Sequence, residues 1–171
     1  MAINNPDTAT SIATLVPGMN NNMTSDQLPW YVNAAQTLSQ AADANPSQPG
    51  QVTSTIVWGN YSSPMGVFQA SNTGPAQAAG PQLSSFLTGL QLTNDSGAPN
   101  TTAILYSYGS VAGSYAATAP GGLPVNNVVI VGSPGMPNQT NASQLLTANP
   151  YVTTQNVFAT STRAPSTSGV W

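Results

Sequence analysis

Residues 101–115 constrain the fold more than any other part of this sequence. Residues 101–106 are an apolar run rich in β-branched side chains, short enough to be one buried strand. Residues 107–109 read Ser-Tyr-Gly and favour a tight turn, and residues 109–118 are small and compatible with a helix that ends before Pro120. The segment therefore predicts a buried strand that turns sharply at a serine into a helix packed close behind it.

Apolar runs that alternate with helical patterns predict the rest of the fold. Five strands are predicted, near residues 11–17, 52–58, 101–106, 126–132 and 155–161. Helices are predicted from Ser25 to about residue 45, at 75–92 with an early break at Gly80–Pro81, at 109–118, and as a short piece at 143–147. This alternation implies a mainly parallel, doubly wound α/β sheet with helices on both faces. The length predicts one domain over residues 1–171, with 163–171 as a polar tail.

The near absence of charge excludes several classes of function. Charged residues make up 3% of the chain, against about 25% in an ordinary globular domain. Arg163 is the one cation, which excludes binding of a phosphate backbone by a basic surface, so we expect no nucleic-acid partner. With no His or Cys and only four carboxylates, Asp7, Asp26, Asp43 and Asp95, we expect no metal site and no cofactor. No apolar run approaches the roughly 18 residues that predict a membrane span.

Four segments resemble one family when they are taken together. They read Asn-Pro-Asp-Thr-Ala-Thr-Ser-Ile-Ala-Thr-Leu-Val-Pro-Gly at 5–18, Ile-Val-Trp-Gly-Asn-Tyr at 56–61, Leu-Tyr-Ser-Tyr-Gly-Ser at 105–110 and Val-Val-Ile-Val-Gly-Ser-Pro-Gly at 128–135. In this order they resemble the motifs of an actinobacterial group of α/β-hydrolases, the domain-of-unknown-function 1023 group. The resemblance covers nearly the whole chain.

The resemblance assigns a nucleophile position to Ser107. In an α/β-hydrolase the serine sits on a nucleophile elbow, usually written Gly-x-Ser-x-Gly, between a central strand and a helix. The backbone N–H of Tyr108 would then be one oxyanion donor. A plain turn serine that bonds to backbone is the alternative interpretation of Ser107. Tyr106 and Tyr108 either form an aromatic wall for a ligand or fill space around the strand end.

The resemblance also implies where the ligand crevice lies. The first of the five strands would lie between the second and the third, giving the spatial order 2-1-3-4-5. The loop that contains Gly18, Met19 and Asn20 would then share a crevice with Ser107 and supply a second oxyanion donor, near Met19 or Asn20. The alternative is that this loop is only a polar turn.

The sequence departs from the family pattern at the residues that carry the chemistry. Leu105 and Tyr106 stand where the family has the glycine and histidine of a Gly-His-Ser elbow. The resemblance places the acid of the triad after the last strand, at residues 163–167, and these contain no carboxylate. Without His or Lys, neither a Ser-His-Asp nor a Ser-Lys arrangement exists in these residues. We therefore predict a serine hydrolase fold that is inactive as written. The alternative is a non-catalytic or redesigned fold that binds a small acyl or apolar ligand in the crevice beside Ser107.

Overall fold

The computed structural model describes residues 1–21, 23–24, 26–95, 97–145 and 155–160. Its strands are β1 (Ala2–Ile3), β2 (Ser11–Val16), β3 (Thr53–Val57), β4 (Asn100–Tyr106), β5 (Asn127–Val131) and β6 (Asn156–Thr160). Its α-helices are α1 (Leu28–Ala44), α2 (Val67–Ala70), α3 (Gly74–Thr93) and α4 (Gly109–Thr118), and a 3-10 helix covers Ala142–Leu145.

The strands form one sheet in the order β1-β3-β2-β4-β5-β6. Strands β2 to β6 pair in parallel with their neighbours, which confirms the predicted α/β class and the predicted order of five parallel strands. The structure adds β1, which pairs antiparallel with β3 through Ala2–Ile56 and Ile3–Thr55. A strand of two residues has no measurable periodicity, so the sequence pattern could not predict this sixth strand.

Helices cover the two faces of the sheet. Helix α1 packs on one face, where Tyr31 and Ala35 contact Leu15 and Val57. Helices α3 and α4 pack on the other face and enclose the largest group of buried residues, which includes Leu83 and residues of β4 and β5. None of the described helices is long and apolar enough to cross a bilayer.

The predicted early break of α3 is wrong, because the helix continues through Pro81 for 20 residues. The reason lies in the packing of α3 against α4. A Cβ on Gly80 would lie 2.6 Å from the Cβ of Tyr115, so the glycine lets the two helices approach closely. This contact compensates for the backbone hydrogen bond that the proline removes.

The predicted ends of the other helices need small corrections. Helix α1 begins at Leu28, with Gln27 at its N-cap, and the predicted N-cap Ser25 lies outside the described residues. The first turn of α1 contains no acidic residue, and Asp26 precedes the helix. The connection between β3 and α3 contains the short helix α2, which we did not predict, and the short helix predicted at 143–147 is the 3-10 helix that ends at Leu145.

Candidate functional site

Ser107 occupies a strained turn between β4 and α4. Its φ is +51°, in the left-handed region that residues other than glycine rarely adopt. The Ser107 N–H donates to the carbonyl of Val131, at 2.8 Å. The Ser107 carbonyl accepts from the N–H and the Oγ of Ser110, at 3.0 and 2.7 Å. Hydrogen bonds from the next strand and the next helix therefore hold the backbone in this conformation.

Two glycines allow β2 and its following loop to pass directly beside the serine. A Cβ on Gly109 would lie 2.2 Å from the carbonyl oxygen of Val16, closer than any real contact. A Cβ on Gly18 would lie 2.8 Å from the Cβ of Ser107 and 3.2 Å from its Oγ. The structure thus brings Gly18 against Ser107.

Leu105 stands at the first glycine position of the elbow motif and is completely buried. Its side chain is accommodated by a glycine on the helix instead, because a Cβ on Gly113 would lie 2.4 Å from Leu105 Cδ1. The close approach of strand and helix needs one small residue at this point, and here the helix provides it. We did not predict that the small residue would lie on the helix and the large one on the strand. The sequence feature that indicates it is the glycine eight residues after Leu105.

Tyr108 packs inside the core, whereas Tyr106 is 43% exposed. The Tyr108 hydroxyl donates to the carbonyl of Asn72 at 2.7 Å, and its ring stacks on Tyr61 with centroids 6.5 Å apart. The Tyr61 hydroxyl donates in turn to the carbonyl of Pro17, at 2.5 Å. Burial raises the pKa of Tyr61 far above its usual value, so this phenol stays protonated and serves as a donor that fixes the loop after β2.

Asn20 ties the loop after β2 to the loop after β3. Its N–H donates to the carbonyl of Pro64 at 2.9 Å, and its Oδ1 accepts from the N–H of Gly66 at 2.8 Å. Gln27 Nε2 donates to the Asn20 carbonyl. With its N–H already used, Asn20 has no backbone donor to offer a ligand.

Two backbone N–H groups near the serine remain open. Tyr108 is the N-cap residue of α4, and its N–H has no acceptor in the described part of the chain. The Met19 N–H likewise has no acceptor among those residues. A helix N-terminus also carries a partial positive charge, which favours a developing oxyanion. Of the two predicted loop positions, Met19 is therefore the one with an N–H available.

A strained serine on a strand–turn–helix, flanked by close-packed glycines, is the geometry of a nucleophile elbow. A family model described as alpha/beta hydrolase matches residues 1–162. The chain belongs to the alpha/beta-hydrolase family.

Two curated relatives come from Mycobacterium tuberculosis. They are the uncharacterized proteins MT2140, from strain CDC 1551 / Oshkosh, and Rv2079, from strain ATCC 25618 / H37Rv. Each is 33% identical over 140 residues, which cover 79% of this chain and 20% of the relative. The chain therefore spans about a fifth of the length of these relatives. No solved structure matches it.

Within the described part of the chain, this alpha/beta-hydrolase domain presents no base to its serine. The 171 residues contain no His and no Lys, and no hydrogen bond to Ser107 Oγ is found among the described residues. Asp43 accepts from the Thr53 N–H at the amino end of β3, at 2.9 Å. Asp7 and Asp95 meet near the amino ends of β2 and β4, at the opposite edge of the sheet from the elbow.

The fourth carboxylate lies at the carboxyl edge of the sheet, which is also the edge that carries the elbow. Asp26 precedes α1, at the end of the loop that follows β2. It therefore lies at the carboxyl edge of the sheet, as Ser107 does, but makes no hydrogen bond to it. No group of three potential metal-binding side chains occurs in the described ranges.

Proposed function

We propose that this domain carries the nucleophile half of a serine hydrolase site that acts on small acyl esters. Ser107 is the nucleophile, and the N–H groups of Tyr108 and Met19 stabilise the oxyanion. The observation that carries the proposal is the φ of +51° at Ser107, maintained by hydrogen bonds on both sides. A strained serine whose neighbour has an open N–H is poorly explained as an ordinary turn.

The same site lacks the group that would remove the serine proton. Attack by a serine hydroxyl needs a base within hydrogen-bond reach, and deacylation needs one again to activate water. An oxyanion hole without a triad accelerates the reaction by about 10³–10⁴-fold over water, well below the roughly 10⁶-fold that begins the usual enzyme range. These 171 residues alone therefore acylate slowly and do not turn over esters, and a base from outside them would complete the site.

A non-catalytic ligand-binding role is the second candidate. It is favoured by the lack of Glu, Lys and His along the entire chain, which goes beyond the loss of one catalytic histidine. Tyr106, 43% exposed beside Ser107, would then contact a small apolar ligand bound beside Ser107.

The four motifs support a finer family assignment and a single domain. They favour membership in the domain-of-unknown-function 1023 group of actinobacterial α/β-hydrolases, in line with the mycobacterial relatives. One continuous sheet formed by strands from residue 2 to residue 160 favours one domain.

Trapping of an acyl-serine tests the proposed function. The chain is incubated for hours with p-nitrophenyl acetate, and the acetylated residue is located by peptide mass spectrometry. We expect one persistent acetyl group on Ser107 and no steady-state turnover, because the missing base leaves the acyl-serine without activated water.

The controls are Ser107→Ala and Ser85→Ala, the second at an exposed serine of α3. Ser107→Ala should remove the label, whereas Ser85→Ala should leave it unchanged. Acetyl groups spread over exposed serines would overturn the nucleophile assignment. Repeated turnover that disappears in Ser107→Ala would overturn the claim that the base is missing.

A further inference from the structure

A cavity of about 350 Å³ lies between the carboxyl ends of β5 and β6 and the segment 132–145. Its walls are mainly apolar. They include Ile130, Met136, Leu145, Val157 and Ala159. None of the described residues in this wall is charged, and the volume lies within the roughly 300–1,000 Å³ typical of ligand pockets.

The cavity is joined to the nucleophile elbow by a short chain of hydrogen bonds. Ser133 lines the cavity, and its Oγ lies 2.6 Å from Ser110 Oγ. Ser110 Oγ donates to the Ser107 carbonyl, so Ser133 Oγ is the donor to Ser110 Oγ. The carbonyl oxygen of Val131, next to the cavity residue Gly132, accepts a hydrogen bond from the Ser107 N–H. The cavity wall therefore lies two hydrogen bonds from the backbone of the nucleophile.

Sheet order separates this cavity from the loop at Gly18. Strand β4, which ends at the elbow, lies between β2 and β5. The loop with Gly18 and Met19 follows β2, whereas the cavity segment follows β5. The Met19 N–H and the cavity therefore lie on opposite sides of Ser107, as the carbonyl oxygen and the chain of an acyl group would require.

The segment over the cavity is anchored to α4. Ser114 Oγ donates to Gln139 Oε1 at 2.6 Å, and Gln139 Nε2 donates to the Ser114 carbonyl at 3.2 Å. Leu145 is 2% exposed and belongs to the main core. The cavity is therefore largely formed before any ligand arrives, which reduces the ordering cost of binding.

We propose that this cavity binds the unbranched aliphatic chain of an acyl group whose carbonyl lies at Ser107. The inference rests on the proposed function, and it specifies that function as acting on medium-chain acyl esters. A water molecule, similar in size to a methylene group, occupies about 30 Å³ in the liquid, so the cavity has room for a chain of about eight to ten carbons. An uncharged wall selects against charged or sugar-like chains because their polar groups would lose hydration without partners.

Methionine methyl NMR tests the binding directly, because the methionines report on different places. Met136 lines the cavity, Met19 lies in the loop beside Ser107, and Met65 is 49% exposed on the loop after β3. On titration of the methyl-labelled chain with 1-octanol, we expect a saturable shift of Met136 and little change at Met65. Saturation at Met19 alone, or no saturable shift, would overturn the inference.

Two tryptophan variants on adjacent residues of β6 provide a matched pair. Ala159 faces the cavity and is exposed at the sheet edge, whereas Phe158, 55% exposed, lies on the opposite face. We expect Ala159→Trp to abolish the Met136 shift and Phe158→Trp to preserve it. Persistence of the shift in Ala159→Trp, with the variant folded by circular dichroism, would place the octanol elsewhere and overturn the inference.

Acylation rates separate this inference from the proposed function. We expect p-nitrophenyl octanoate to acylate Ser107 about tenfold faster than the acetate, Ala159→Trp to remove this preference, and Phe158→Trp to preserve it. If neither ester acylates Ser107 but octanol still shifts Met136, the pocket stands and the proposed function fails. Acylation of Ser107 by both esters at equal rates would leave the proposed function standing and overturn the chain pocket.

Discussion

Replacement of Gly113 by alanine should destabilise the domain, although alanine is the better helix former. A Cβ at this position would lie 2.4 Å from Leu105 Cδ1, and Leu105 is completely buried. Overpacking of this kind costs about 1–3 kcal/mol, whereas glycine to alanine within a helix gains about 0.5–1 kcal/mol. We expect a net loss of up to about 2.5 kcal/mol in the free energy of unfolding.

The sign of the effect should reverse when Leu105 is shortened. In a Leu105→Ala background the clash is gone, so Gly113→Ala should stabilise by about 0.5–1 kcal/mol. Leu105→Ala alone leaves a cavity and should cost about 2–5 kcal/mol. The two residues should therefore show a coupling energy within the range of about 0.5–3 kcal/mol found for side chains in contact.

Urea unfolding followed by circular dichroism measures all four chains of this cycle. Gly89→Ala is the matched control, because Gly89 lies inside α3 and a Cβ there would meet nothing within 4 Å. That variant should gain about 0.5–1 kcal/mol. If Gly113→Ala stabilises the wild-type chain as much as Gly89→Ala does, Leu105 does not require a glycine at position 113 and the packing argument is refuted.

Two further predictions concern pH and the elbow. Burial raises the pKa values of Tyr31, Tyr61 and Tyr108, so the unfolded chain ionises first. The contribution of these tyrosines to the free energy of unfolding should be fully present below the ordinary tyrosine pKa of about 10 and decrease above it. Urea midpoints that stay constant up to pH 11 would contradict this. Gly18→Ala should displace the Ser107 side chain, because the new Cβ would lie 2.8 Å from Ser107 Cβ. Acetylation of Ser107 should drop at least tenfold in a chain that still folds, and an unchanged rate would show that the loop does not position the serine.

The parallel core of the fold was predictable from the sequence because each strand is an apolar run of ordinary length. All five predicted strands were found in the predicted order, and 101–106 agrees with β4 to within one residue. The predictions failed where tertiary contacts override local preference. Pro81 stays helical because Gly80 packs against α4, and β1 has two residues and exists only by pairing with β3.

The site was predictable in part. The resemblance indicated Ser107, Tyr108 and the loop at Gly18, and the short distance between Gly18 and Ser107 agrees with that interpretation. The sequence could not show that the Asn20 N–H is used by Pro64, since the two residues are 44 positions apart. The cavity beside Ser133 was also missed, because it is formed by two separate segments, 130–145 and 157–160, with no motif that marks a pocket.

Addition of a base in solution tests the central claim, that Ser107 is a nucleophile position complete except for its base. Hydrolysis of p-nitrophenyl acetate is measured with increasing imidazole for the wild-type chain and for Ser107→Ala, which accounts for the reaction of imidazole with the ester itself. The wild-type rate should exceed the Ser107→Ala rate by a margin that grows with imidazole, because the added base supports both acylation and deacylation. Equal rates for the two chains at every imidazole concentration would contradict the claim.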